Sequence, residues 1–145
     1  MANQQGPGLL AANQLILVCR DCESALSTAA AVAESRTIRD LYRRRAADWT
    51  RFRTALQDAV LELGGRPRKM PGVTGTLRRA WIKIQSGVGD PEAIAAECRR
   101  READALRRCE RVAEGDVPEE VRDIVARFCN RGRKPVYNQK WSSGP

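Results

Sequence analysis

PEAIAAECRRREADALRRCERV, residues Pro91 to Val112, sets Ile94, Cys98, Ala105, Cys109 and Val112 three, four or seven positions apart. That spacing stacks side chains along one face of an α-helix and predicts a helix over about 91–113. Glu102 falls on the same stripe. A carboxylate facing a core is costly unless it is paired, hydrogen-bonded, metal-bound or protonated. The stretch therefore defines a helical fold and, in the middle of its apolar face, one residue that needs a partner.

The flanking segments repeat the pattern. GVGDPEA and EGDVPEE each combine a polar loop, an Asp able to cap, and an early Pro followed by glutamates that favour the positive end of a helix. The second of them opens a helix over about 117–130, with Val117, Val121, Ile124, Val125 and Phe128 inward, and Gly132 and Pro135 predict its end near Arg131. Upstream, TLRRAWIKIQS (76–86) reads as a short crossover helix with Leu77, Ala80, Trp81 and Ile84 on one face. The ten residues RPRKMPGVTG before it are turn-formers and basic side chains.

The strongest pattern lies over about 36–63, where Ile38, Leu41, Tyr42, Trp49, Phe52, Leu56, Val60 and Leu63 share a face, with Ser35 placed to cap the start. Gly64 and Pro67 end it, the glycine by adopting a left-handed cap and the proline by blocking resumption. A first helix over about 9–34 buries Leu15, Cys19, Cys22, Leu26, Ala29 and Ala33, and its alanine- and serine-rich second half predicts close approach of a neighbour. No strand-like alternation occurs. The expectation is an all-α fold, an antiparallel four-helix bundle with a short crossover helix between main helices 2 and 3.

At 145 residues the chain is one domain. It divides into a flexible leader (1–8), a bundle domain (9–131) and an irregular basic tail (132–145). No stretch reaches the roughly 18 to 20 consecutive apolar residues of a membrane span. The start lacks a signal-peptide pattern, so the expected location is the cytoplasm, without membrane association. Five cysteines at irregular positions fit buried thiols better than a disulfide framework. Histidine is absent, which excludes His-based triads, an imidazole general base and any histidine metal ligand. The net charge of +8 is unevenly spread: residues 36–83 hold 13 Lys/Arg against 4 Asp/Glu, residues 84–125 hold 7 against 11, and residues 126–145 hold 5 against none.

Three segments together, LQDAVLELGGRP (56–67), GTLRRAWIKIQSGVGDPEAIAAECRRREADAL (75–106) and VPEEVRDIVARF (117–128), resemble an uncharacterised bacterial family of ferritin-like four-helix-bundle proteins loosely associated with stress responses. The resemblance spans about residues 12–130, and its most specific elements in combination are the Leu-Gly-Gly-x-Pro turn and the Arg79-x-Trp81 pair. It implies a ferritin-like fold with a carboxylate-lined centre, in which Glu102 matches the family's acidic position and Asp48 the Glu of the second helix. The chain departs from the family pattern at Leu26 and Cys109, where tyrosines are expected, and near Val136 and Tyr137, where a His is expected.

Four candidate features follow. Glu102 and Asp48 are candidate metal ligands, for iron, manganese or zinc, but the favoured expectation is no cofactor. Arginines should neutralise them instead, Arg99, Arg100 and Arg101 beside Glu102 and Arg51 one turn after Asp48. Cys19 and Cys22 form a candidate thiol pair, but they sit inside a helix on its apolar face, where free Cys behaves as a small hydrophobe. Runs such as Arg43-Arg44-Arg45, Arg99-Arg100-Arg101 and Arg131-Gly132-Arg133-Lys134 allow nucleic acid or another polyanion as a partner, though no recognition motif accompanies them, which makes this the weaker reading. The functional expectation is a non-catalytic bundle protein that has lost di-iron ligands and acts as a homodimer or other homo-oligomer, or with another protein. A metal-binding or redox role is the first alternative.

Overall fold

The computed structural model describes residues 6–67 and 75–132, which fold into five α-helices: α1 (Pro7–Val32), α2 (Arg36–Glu62), α3 (Gly75–Ser86), α4 (Pro91–Glu114) and α5 (Glu119–Gly132). No strand occurs among the described residues. The expected boundaries hold to within two residues. The leader before Gly6, most of the basic linker and the tail beyond Gly132 lie outside the described residues.

The punctuation works as its chemistry requires. Ser35 Oγ accepts the Ile38 amide at 3.3 Å, and Asp90 Oδ1 accepts the Ala93 amide at 3.2 Å, each satisfying a donor that the first helical turn leaves open. Gly64 takes φ +85° at the end of α2, and the Gly65 amide bonds back to the Val60 carbonyl at 2.9 Å. That is the left-handed helix exit which a side chain disfavours.

Helix α1 is the centre of the packing: α2, α3 and α4 all lie against it, and α5 joins α4 to α2. Because three neighbours cover it, α1 is apolar around most of its circumference, with Ala12, Ile16, Cys19 and Ala29 wholly buried. Ala25, Ala29 and Ala30 are nearly inaccessible, in keeping with the expected close approach along its second half. Helices α1 and α2 run antiparallel. Asn13 donates to the Arg66 carbonyl at 3.1 Å, whereas Glu23, further along α1, meets Thr50 and Arg53, which come earlier in α2. The start of α1 rests on the connection between α4 and α5, where a Cβ on Gly8 would stand 2.6 Å from Pro118 Cδ.

The inward faces read from sequence are found in the core, including Trp49, Leu56, Val60, Cys98, Cys109, Val121 and Val125. Helix α3 is the exception. Ile84 is buried, but Trp81 is 53% exposed and its neighbour Ile82 is 51% exposed; Leu77 and Ala80 lie outside the residues whose side chains are described. Trp81 therefore does not belong to the core as expected. A short helix lying across α1 and α4 covers a narrower strip of itself than a bundle helix does, and Ile84 occupies that strip while Trp81, three residues away, falls outside it.

Candidate functional site

Glu102 lies where its position on the apolar stripe of α4 puts it, 2% exposed in the interior. Two residues of α2 meet it. The indole Nε1–H of Trp49 donates to Glu102 Oε2 at 2.5 Å, and the Arg45 guanidinium lies 3.5 Å from the same oxygen. Arg45 and Trp49 are four residues apart, so one helical face delivers both donors to one carboxylate. Arg45 is itself nearly buried, which makes this an interior ion pair backed by an indole hydrogen bond. Trp49 is held in turn by aromatic contacts, its ring centroid 4.6 Å from Phe128 of α5 and 6.1 Å from Phe52, while Phe52 and Phe128 stack at 4.1 Å.

The expected neutralisers were the adjacent arginines of α4, and here the structure corrects the sequence reading. Arg100 and Arg101 point back one turn to Glu97, with Arg101 Nε 2.8 Å from Glu97 Oε2 and Arg100 paired to Oε1. Sequence neighbours at i−1 and i−2 lie on other faces of a helix, so they cannot follow Glu102 into the core. Asp48, the other candidate ligand, is partly exposed. Its side chain is 40% exposed and is paired with Arg51, while the same helix turns Arg45 and Trp49 inward. The Arg51 partner is the expected one.

Two further buried carboxylates escaped the sequence reading. Glu23 of α1 receives a two-pronged clasp from Arg53, at 2.5 Å from Nε and 3.0 Å from Nη2, and the hydroxyl of Thr50 at 2.9 Å. Glu97 carries Arg100, Arg101 and, at 3.8 Å, Lys83 of α3. Glu23 directly follows Cys22 on the stripe, and Thr50 and Arg53 are three residues apart on α2, but nothing in one sequence pairs the two helices in that register.

All five cysteines are free and buried. Burial pushes the Cys19 and Cys22 thiols well up, with Glu23 and Glu102 respectively adding to the shift. Burial likewise brings Cys98 up to about 12. Cys22 Sγ lies 3.9 Å from the Arg101 carbonyl. Cys109 of α4 and Cys129 of α5 share a hydrogen bond, which holds the Cys129 thiol below its ordinary value and raises Cys109.

A di-metal centre of the ferritin type draws on carboxylates and histidines from several helices converging on one point. Among the described residues, no three Asp, Glu, Cys or His side chains come together in a way that could hold a metal ion. The chain has no histidine, and Glu102 faces an arginine and an indole. This donor set does not fit such a centre.

Helices of this kind, with interior carboxylates each matched to arginine, define an all-α domain whose buried charge is balanced from within the protein. Residues 9–115 match the domain of unknown function DUF2383, and the chain belongs to that family. The match takes in α1 to α4, and α5 lies beyond it. No curated protein and no solved structure matches the chain. No described helix is long and apolar enough to cross a membrane.

Proposed function

We propose that this DUF2383 protein is a non-catalytic, ferritin-like bundle that acts by association, with a second copy of itself or with another protein. The observation that carries the reading is the Arg45–Trp49–Glu102 set: a guanidinium and an indole N–H stand at the carboxylate where a metal-dependent relative would need a cation. A fixed positive charge inside the fold performs the neutralising role without an ion to load or lose. The antiparallel pairing of α1 with α2, and the chain of contacts α1–α2–α5–α4–α1, support a four-helix arrangement with α3 as the crossover. Bacterial origin and a stress-associated role rest on the sequence resemblance, and cytoplasmic location is supported by there being no described helix long and apolar enough to cross a membrane. Association is favoured by Trp81, Ile82 and Val88, each about half exposed on α3 and the turn after it.

Two measurements test this. Protein purified without chelators is expected to carry iron, manganese and zinc well below one equivalent per chain; one or two equivalents held through dialysis would instead establish the metal-binding alternative. Sedimentation velocity is expected to show a dimer or larger assembly that Trp81→Glu weakens. A monomer at all concentrations would leave association with a different protein as the form of the proposal to pursue.

A further inference from the structure

Helices α3 and α4 flank a half-open pocket of about 300 Å³ lined by Arg79, Lys83, Arg100, Arg101 and Asp104. Arg79 and Lys83 are one turn apart on α3, and Arg100, Arg101 and Asp104 follow one another on α4, so two helix faces contribute cations to one concave surface. Beside it, Glu97 anchors three of the four: its side chain is 8% exposed, it bonds Arg101 Nε at 2.8 Å and Arg100, and Lys83 Nζ lies 3.8 Å away. Asp104 is taken up by Arg107 of its own helix.

Balancing Glu97 needs only the two arginines of α4. Lys83 is largely exposed and reaches Glu97 only at 3.8 Å, and Arg79 has no carboxylate partner among the described residues, so the four cations outnumber Glu97 once Asp104 is paired with Arg107. A concave surface with cations on opposite walls focuses its field into the space between them. Each guanidinium carries five N–H donors in a planar fork suited to phosphate oxygens, of which the bonds to Glu97 use a minority.

We infer that this cavity binds a small molecule bearing two or more phosphate groups, held between Arg79 and Lys83 of α3 and Arg100 and Arg101 of α4. The pocket volume exceeds what a single phosphate fills, and no described aromatic side chain lines it to stack a base. The cations converge on a pocket rather than following a stripe, as tracking a nucleic-acid backbone would require.

The test is calorimetric titration of the full chain with inorganic pyrophosphate, repeated with orthophosphate and with a short duplex DNA. Pyrophosphate is expected to bind saturably at one site per chain, more tightly than orthophosphate. Arg79→Ala with Lys83→Ala, both at exposed positions, should weaken it by about tenfold or more, since each removes a charge-assisted contact. Arg36→Ala with Arg127→Ala removes the same charge elsewhere and should leave it unchanged, with helicity by circular dichroism confirming that both variants fold. No saturable binding, equal affinity for orthophosphate, equal loss in the two double variants, or duplex DNA as the tighter ligand would each overturn the assignment.

Discussion

Glu102 shows how one side chain can be placed by sequence and explained only by its neighbours. With the carboxylate and the guanidinium both buried, removing one partner strands the other in a low-dielectric interior. Glu102→Leu and Arg45→Met are each expected to destabilise the fold by about 3 to 5 kcal/mol, whereas the two combined should recover most of that loss. Urea denaturation of the three variants checks this, and purely additive losses would argue that the pair is not coupled. The thiols offer a second comparison at this scale. Cys19, Cys22 and Cys98 are held neutral by burial, while the hydrogen bond from Cys109 favours the thiolate of Cys129. Native alkylation at mildly alkaline pH, followed by peptide mass spectrometry, is expected to label Cys129 first, because the thiolate is the reactive form.

The elements were legible where local chemistry governs them. Ser35, Asp90 and Gly64 mark helix ends because a capping oxygen or a left-handed glycine acts within a few residues of itself, and each was found in its expected role. The site at Gly64 allows a clean test. A Cβ there would meet nothing within 4 Å, so Gly64→Ala is expected to cost only the left-handed backbone preference, about 1 kcal/mol, read as a lowered midpoint of thermal unfolding. Gly8→Ala should behave differently, because its Cβ would press on Pro118 and the contact of α1 with the α4–α5 connection must shift to admit it. What stayed hidden at this scale was the exposure of Trp81. An amphipathic pattern gives the direction of a helix face but not its width, and the width depends on how many neighbours cover it.

For the molecule as a whole, Asp21 supplies a pH dependence. Partial burial raises its carboxyl above the ordinary 3.8, with Arg101 and Arg108 opposing the shift. A raised value in the folded state means that the protonated form is the better accommodated one. Its contribution to stability is therefore full below about pH 3.8 and is lost as pH rises through the folded value. Asp21→Asn is accordingly expected to be more stable than the parent at pH 7, with the difference vanishing in acid below pH 3.8. Chemical denaturation at several pH values follows this, and an advantage that grew toward acid would reverse the sign. Asp21 also shows how the helices share charge, since its partners all lie on α4.

The sequence by itself determined the helical class, the helix limits and nearly all of the inward faces, because periodicity, caps and breakers act through neighbours three or four residues away. It also singled out Glu102 as a carboxylate that must find a partner. Which partner it finds, that Glu23 and Glu97 share its situation, and that Asp48 faces solvent were decided only by the tertiary structure. Those outcomes depend on the rotation and register of α2 against α1 and α4. That register brings Arg45 and Trp49 to Glu102 across more than fifty residues of chain, a distance over which no local rule extends.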